Sequence, residues 1–491
     1  MAYVMSKLTR IICQLSDEEY QQLYHSLVDG EALKSADLLK ILREEELEEE
    51  DILERLDVSA NAYYALRSRL NKKIESFYLD QLEGGKNDLY KQVANINELV
   101  LTKNRIIAIA TLKKLEKELA NNDLFHELTL VYQALKKLHI NTPEHFQYSQ
   151  LYNKHNAQLL AFEKVETLTA EYFKNYNKGL LEMRVKEDKE SQLIRESIDS
   201  INNRYNSHRI YTLKALSFIF HEINQVEKKT RHKIIQNQFT ELDRIFKLYN
   251  SDLLYNHLKW VLSYLKLLYA YKKNNLNDIE SHLKELDPIS GRLLTNYTAF
   301  STTVYFLLIK LEFAINNGKV KTLEKHNEVF FRNFDIDSVY PLSNTIFFYY
   351  RAFSCFYGKN IDDAIEWIEK AISISNVKEH EKFLVDLKLI SAGFLYIKGD
   401  YEASLVHINY IQRILRISEK SNFEYAYLFR KTLKAALSDI EFDKKKRKYD
   451  HAKAMFIESQ KPFQSPLRFF DVNQIICKEI TQKQIQPLSC K

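Results

Sequence analysis

The chain has 491 residues, of which only 9 are Gly and 6 are Pro, and this scarcity of turn residues argues against a large β-sheet protein. Hydrophobic residues make up 45% and charged residues 28%, so there is enough apolar material to bury a core and wholesale disorder is not expected. The net charge of +5 is modest, and by itself it indicates no nucleic-acid partner. Long helices joined by short polar turns fit this composition.

Residues 1–83 are predicted to form a small acidic helical module. The first 80 residues contain 10 Lys and Arg against 17 Asp and Glu, a net charge of −7. In the stretch ILERLDVSANAYYALRSRL, a short helix, a turn at Asp57–Ser59 and a longer amphipathic helix follow one another. A Gly pair at 84–85 marks the predicted boundary.

The same stretch, residues 52–70, resembles the helix-turn-helix of sigma-like and repressor DNA-binding proteins. Tyr63 and Leu66 are expected to face inward. The basic side chains placed to meet phosphate groups are Arg67, Arg69, Lys72 and Lys73. The stretch departs from the pattern at Leu53, where a small residue is usual, and at Asp57, where Gly is usual. Because phosphate contacts dominate DNA affinity, the acidic module favours a helical adaptor or capping role over DNA binding.

Residues 84–250 are predicted to form irregular repeats of long helices with Asn-rich joints. A turn at 121–123 separates two amphipathic stretches, and Pro143 lies in the first turn of the next helix. Few helix breakers occur in 157–245, so the helices there are expected to be longer than average.

Residues 251–420 carry a visible repeat of helix pairs. Four joints share one design: an apolar helix, a short polar or Gly-containing turn, an apolar residue and a second amphipathic helix. The first apolar residues after the four turns are Leu276, Val320, Ile361 and Tyr401. They are separated by 44, 41 and 40 residues. Stacked helix pairs produce such a steady period, because each pair buries its face only against its neighbours.

The last two of these pairs resemble tetratricopeptide repeats, with small residues where the helices of a pair cross. The matching positions are Ala352, Ala364, Ile368 and Ala371 in the first pair, and Ala392, the turn 399–401, Ser404, Ile408 and Ile411 in the second. The period is longer than the usual period of about 34 residues. The resemblance implies an all-α fold in which helix pairs stack as a right-handed α–α superhelix. The whole chain is also similar to uncharacterised bacterial helical-repeat proteins of about this length, a likeness that implies no activity.

Residues 421–491 are predicted to form a C-terminal capping helix and a loose tail. One long helix is expected to run through 422–459 and to end before Pro462 and Pro466. The residues beyond are expected to pack loosely.

No motif of a catalytic, metal or cofactor site stands out in the sequence. The residues Gly84–Lys86 lack the upstream Gly and the following Ser or Thr of a phosphate loop. The 14 His residues form no His–Cys cluster, and the four Cys residues lie far apart. We therefore expect no enzyme activity, no cofactor and no bound metal.

The sequence also predicts where the protein works. The separated Cys residues suit a reducing compartment. No apolar stretch reaches the ~18 residues that a membrane span needs. We therefore expect a cytoplasmic protein without a membrane partner.

The hypothesis that fits this architecture is a non-enzymatic scaffold or adaptor that binds a protein or peptide in the groove of its solenoid. The residues expected to bind the partner lie on the first helices of the last pairs and are Tyr349, Phe353, Phe356, Lys388 and Tyr396. The alternative is a peptide-responsive transcriptional regulator with a DNA-binding helix-turn-helix in the N-terminal module and a sensor in the repeat body.

Overall fold

A computed structural model gives the structure of the chain. It describes residues 7–15, 17–30, 32–44, 47, 49–84, 88–182, 189–224, 232–250, 252–287, 299–321, 323, 327, 341–374, 380–417, 423–438, 441–459 and 465–470. In these ranges the regular elements are α-helices and two short 3-10 helices, with no strand. The predicted all-α class is therefore confirmed for the described residues.

The chain divides into two compact units. Unit 1 comprises the described residues up to 159, and unit 2 comprises those from 160 onward. The boundary between the two units falls inside the predicted segment 84–250. The predicted division of the chain into four segments remains a prediction.

Unit 1 is a set of short helices followed by longer ones. Its helices are α1 (Lys7–Gln14), α2 (Asp17–Asp29), α3 (Leu33–Glu44), α4 (Glu49–Leu56), α5 (Ala60–Gly84), α6 (Asp88–Ala94), α7 (Ile96–Thr102), α8 (Arg105–Asn121), α9 (Phe125–Leu138) and the first part of α10 (Glu144–Leu181). One apolar core lies among α1–α5, and a second lies among α6–α9 and the start of α10.

The predicted helix-turn-helix has the expected local structure in unit 1. Tyr63 and Leu66 on α5 are buried, as predicted. Asp57 has φ of 48°, which is the left-handed conformation that Gly usually supplies at this turn. Asp is one of the few other residues that adopt it, so the replacement of Gly leaves the turn intact.

Unit 2 contains the remaining helices. They are the rest of α10, α11 (Lys189–Arg204), α12 (His208–Asn224), α13 (His232–Leu248), α14 (Leu253–Lys272), α15 (Leu276–Leu286), α16 (Phe306–Asn316), α17 (Pro341–Tyr357), α18 (Ile361–Ser373), α19 (Glu381–Lys398), α20 (Tyr401–Ile417), α21 (Glu424–Leu437) and α22 (Phe442–Glu458), with 3-10 helices at Ser301–Tyr305 and Pro466–Phe469.

The four predicted joints are turns that precede helical residues. Asn275 and Asn360 cap α15 and α18, each accepting a hydrogen bond from the backbone N–H three residues later. Gly318 and Gly399, in the other two joints, have φ of 66° and 95°. Short local signals therefore define these turns.

Three small residues named in the tetratricopeptide resemblance are buried in unit 2, in helices that pack against one another. In unit 2, α17 packs against α18, α18 against α19, and α19 against α20. Ala352, Ala364 and Ala392 are fully buried. The hydroxyl of Ser404 on α20 donates a hydrogen bond of 2.8 Å to the carbonyl of Ala392 on α19. The two backbones approach closely because neither residue has a large side chain.

The single long helix predicted for 422–459 is wrong, since α21 and α22 replace it. Ser438 leaves the helix with an extended backbone (ψ 135°). The two helices then pack against each other, with the rings of Phe429 and Phe456 5.1 Å apart. Burying these rings outweighs the weak local preference for a continuous helix.

Candidate binding pocket in unit 2

The segment Ser465–Phe470 is packed inside unit 2, although the sequence predicts a loose tail beyond Pro462. The hydroxyl of Tyr349 donates a hydrogen bond of 2.6 Å to the carbonyl of Pro466. The hydroxyl of Tyr357 donates one of the same length to the carbonyl of Phe469. Two tyrosines of α17 therefore hold the main chain of this segment. Residues 471–491 lie outside the described residues.

A buried carboxylate holds the beginning of the segment. Asp386 on α19 is fully buried and accepts hydrogen bonds from the hydroxyls of Ser465 and Tyr425. Burial and the neighbouring carboxylate raise the pKa of Tyr425 well above its ordinary value. This phenol therefore remains a hydrogen-bond donor to Asp386.

The aromatic side chains of the segment complete an aromatic cluster. The ring of Phe470 lies 5.8 Å from that of Phe394 and 5.4 Å from that of Phe429. It also covers Gly393 so closely that a Cβ atom there would lie 2.6 Å from the Cζ atom of Phe470. The segment therefore sits where only a glycine leaves room for it.

Three of the five residues predicted to bind a partner contact this segment. Tyr349 donates to its main chain, and the rings of Phe353 and Phe356 lie 6.0 Å from Phe469 and 5.8 Å from Phe470 respectively. Tyr349 and Phe353 are buried, so they form part of the core and not an open groove.

The other two predicted residues lie elsewhere in unit 2. Lys388 is half-buried, with its ammonium 4.7 Å from the ring centroid of Tyr410. Tyr396 is buried against Tyr401. Neither lines the pocket described next, and partner binding through these two residues stays a prediction.

A pocket of about 100 Å³ lies beside the segment. Most of its wall is aromatic and aliphatic. Its lining residues are Tyr176, Leu180, Phe220, Asn224, Tyr264, Leu268, Tyr271, Lys272, Tyr305, Leu308, Ile309, Ile346, Tyr349, Phe383, Ser465, Pro466, Arg468 and Phe469. Such a pocket is the usual form of a ligand site: apolar walls with a few converging polar groups.

Five tyrosines supply most of these polar groups, and three of their hydroxyls are hydrogen-bonded. Tyr349 bonds to the carbonyl of Pro466, and Tyr271 donates a hydrogen bond of 2.7 Å to Glu312. Tyr264 is hydrogen-bonded to Thr302.

The hydroxyls of Tyr176 and Tyr305 have no hydrogen-bond partner among the described residues. Both side chains line the pocket and are half-buried. The ring of Tyr176 is held edge-on by Phe220, 4.7 Å away. Both hydroxyls are therefore able to bond to water or to a ligand in the pocket.

All five hydroxyls are protonated at neutral pH. Burial is the largest cause that raises the pKa of each of these tyrosines above its ordinary value. The pocket therefore presents neutral phenols, which donate hydrogen bonds and do not act as bases near pH 7.

Two cations are among the residues that line the pocket, Lys272 and Arg468. Lys272 ends α14 and is exposed, and partial desolvation together with Arg468 lowers the pKa of its ammonium. The guanidinium of Arg468 lies 3.6 Å from Glu312, which compensates part of its charge.

Sequence reasoning missed most of the pocket. Tyr176 and Arg468 are separated by almost three hundred positions, and no local pattern links them. The one general signal is the high tyrosine content, 31 residues, which does not by itself distinguish tyrosines that pack in the core from those that line a pocket.

In unit 1, the predicted phosphate-contacting residues lie mostly on one surface. Arg69, Lys72 and Lys73 are exposed and line a shallow groove with Lys34, which belongs to the first turn of α3. Arg67 is half-buried, with its guanidinium 5.5 Å from the ring centroid of Tyr63. The structure therefore brings three of the four predicted residues together and adds Lys34.

Neither a metal centre nor a membrane segment is found in the described ranges. No three His, Cys, Asp or Glu side chains there are grouped so that they could hold a metal ion. The helices of the same ranges are also too short or too polar to cross a membrane.

No protein-family model, no curated protein and no solved structure matches this chain.

Proposed function

We propose that the chain is a non-enzymatic binding protein, an adaptor whose unit 2 receives a peptide segment of a partner in the tyrosine-lined pocket. The observation that carries the proposal is the pocket itself, whose largely apolar walls carry two phenol hydroxyls without a hydrogen-bond partner among the described residues. A cytoplasmic location and right-handed stacking of the helix pairs, as the tetratricopeptide resemblance implies, belong to the same proposal.

A peptide is favoured over other ligands because unit 2 already holds one. Its own Ser465–Phe470 is bound by tyrosine hydroxyls on main-chain carbonyls and by aromatic packing, and this segment forms one wall of the pocket. A second peptide lying against it meets the same kinds of group.

Binding is favoured over catalysis by the chemistry of the lining. The raised pKa values keep the phenols neutral, so they act as donors and neither as general bases nor as nucleophiles. The carboxylate nearest to these phenols, Glu312, lies outside the lining and already accepts a hydrogen bond from Tyr271.

The test is a selection of random peptides displayed on phage against the full chain, with counter-selection on Leu308→Trp. Leu308 lines the pocket, so an indole at this position fills it. The matched control is Leu276→Trp, because Leu276 is exposed and lies outside the pocket.

We expect peptides that bind the wild-type chain and the Leu276→Trp variant at least about tenfold more tightly than the Leu308→Trp variant, a difference of about 1.4 kcal/mol. Thermal melting should show that both variants remain folded. Equal binding by all three proteins, or no enriched sequence, contradicts the proposal.

A second candidate function is nucleic-acid binding by unit 1, as in the alternative of a peptide-responsive regulator. The observation that favours it is the groove lined by Lys34, Arg69, Lys72 and Lys73. Four basic side chains along one groove suit a row of phosphate groups, even though the first 80 residues are acidic overall.

Electrophoretic retardation of duplex DNA at low salt tests this candidate. Arg69, Lys72 and Lys73 are changed together to Ala. The control changes the exposed Lys113, Lys114 and Lys117 of α8 to Ala, which removes the same charge. Retardation that is lost only in the first variant supports DNA binding, whereas no retardation of the wild-type chain at low salt contradicts it.

A further inference from the structure

The groove between α3 and α5 of unit 1 has room for a ligand and a charge that selects one. Its volume is about 590 Å³, within the range of roughly 300–1,000 Å³ that ligand sites span. Four of the residues that line it are cations, Lys34, Arg69, Lys72 and Lys73, and none is an acid. An anionic group that enters the groove therefore meets opposite charge only.

Three of these cations form a stripe on α5. Arg69, Lys72 and Lys73 follow one another at the spacing that places residues on one face of a helix, and all three are exposed. None of them takes part in an ion pair with another described residue. Their charges are therefore available to a ligand.

The beginning of α3 supplies positive charge from the other side of the groove. The ammonium of Lys34 donates a hydrogen bond of 3.2 Å to the main-chain carbonyl of Asp57, which holds it beside the turn before α5. The first turn of α3 contains no acidic residue, so nothing there offsets the positive end of the helix dipole. Both sides of the groove thus favour an anion.

The groove also offers an apolar contact. Leu33, the first residue of α3, is 60% exposed and lines the groove together with Ala32 and Leu66. Covering this side chain with an apolar group removes it from water, which is favourable. A ligand with carboxylates and one apolar side chain fits both the charge and the apolar contact.

We propose that this groove binds an acidic segment of a partner protein in which carboxylates lie on both sides of an apolar residue. The carboxylates pair with Arg69, Lys72 and Lys73, and the apolar side chain packs on Leu33. The groove belongs to unit 1, so its ligand is separate from that of the pocket in unit 2. It is also the surface for which DNA is the second candidate.

The charges around the groove favour a short acidic segment over duplex DNA. The first 80 residues have a net charge of −7, and Glu50, Asp51 and Glu54 are exposed on α4, which packs against α3. Duplex DNA carries one charge per roughly 1.7 Å, so its phosphates beyond the groove meet these acids. A short segment keeps its few charges inside the groove, within the roughly 8 Å over which charges interact at physiological salt.

The test measures binding of N-acetyl-Glu-Glu-Leu-Glu-Glu amide to the full chain by isothermal titration calorimetry at about 50 mM salt. The groove variant has Arg69, Lys72 and Lys73 changed together to Ala. The control is the α8 variant described above, in which three exposed lysines are changed to Ala, so that the same charge is removed elsewhere in unit 1. We expect the groove variant to bind at least about tenfold more weakly than wild type, and the control to bind within about 2-fold.

Further changes separate the ionic contact from the apolar one. The neutral peptide N-acetyl-Gln-Gln-Leu-Gln-Gln amide should bind the wild-type chain at least about tenfold more weakly than the acidic peptide. Leu33→Ser should weaken binding of the acidic peptide roughly 3-fold. Leu101→Ser is the control, because Leu101 is 84% exposed and lies outside the groove. Thermal melting should show that these variants remain folded.

Three results overturn the proposal, and each has a distinct meaning. If the acidic peptide does not bind the wild-type chain at about 1 mM, or binds the folded groove variant equally well, the groove is not its site. If DNA retardation is lost in the groove variant and the peptide does not bind, the groove is a nucleic-acid site. If the wild-type chain sediments as a dimer at low salt and the groove variant does not, the groove binds a second copy of the chain.

Discussion

The hydroxyl of Tyr349 donates a hydrogen bond of 2.6 Å to the carbonyl of Pro466, which lies 117 positions later in the chain. Both groups are buried, and the bond connects α17 to the segment Ser465–Phe470. A residue of the predicted binding face thus binds a segment of its own chain. The same tyrosine lines the pocket proposed to hold a peptide from outside.

Replacing Tyr349 by Phe should destabilise unit 2. The change removes the donor and leaves the buried carbonyl of Pro466 without this hydrogen bond, a loss of about 1–3 kcal/mol. Thermal and urea unfolding of the full chain measure it. Tyr410→Phe is the control, because Tyr410 is exposed and should change the stability little. If Tyr349→Phe and Tyr410→Phe are equally stable, the carbonyl of Pro466 must accept a hydrogen bond from another group.

Replacing Gly393 by Ala should loosen the segment Ser465–Phe470. The new methyl group would lie 2.6 Å from the ring of Phe470, and relieving such a clash costs about 1–3 kcal/mol. Tryptic cleavage after Arg468, followed by mass spectrometry, should become roughly tenfold faster. Gly318→Ala is the control, since its left-handed backbone is strained but no atom lies within 4 Å of the new methyl. Faster cleavage in both variants would indicate general destabilisation.

Replacing Lys310 by Met should be strongly destabilising. Its ammonium lies 2.7 Å from the carboxylate of Asp287, and both side chains are largely buried. Removing one partner of a buried pair costs about 3–5 kcal/mol, whereas the double change Lys310→Met with Asp287→Leu should recover most of the loss. Lys284→Met, which breaks an exposed pair with Glu280, should cost less than about 1 kcal/mol. A double variant no more stable than Lys310→Met would contradict this assignment.

Lowering the pH should destabilise unit 2, because His257 then becomes protonated. Burial lowers the pKa of this imidazole, and its Nε2 atom is buried with no hydrogen-bond partner among the described residues. The unfolded chain, with its ordinary pKa of about 6.5, therefore binds the proton more readily than the folded chain, so stability is lost as the pH falls through that value.

The fall in melting temperature between about pH 7.5 and about pH 5 should accordingly be smaller for His257→Phe than for the wild-type chain. His451→Gln is the control, because His451 is exposed. The same pH dependence in His257→Phe and in wild type would exclude His257 as the cause.

Local signals in the sequence determined the all-α class and the joints between helices. Asn275 and Asn360 cap helices with their own side chains, and Gly399 adopts a backbone that few other residues allow. Such signals act over three or four residues, so they can be read without knowing what packs against them. The burial of Tyr63 and Leu66 was likewise expected from the resemblance to a helix-turn-helix.

Only the tertiary structure decided what the aromatic residues do. An aromatic residue on an apolar helix face looks the same in sequence whether it packs in the core, as Phe353 does, or lines a pocket, as Tyr176 does. The difference depends on which distant segment comes to lie against it. The docking of Ser465–Phe470 on α17 and α19 is set by hydrogen bonds and ring contacts across about a hundred positions. Burial of the aromatic rings favours it only after the helices have assembled.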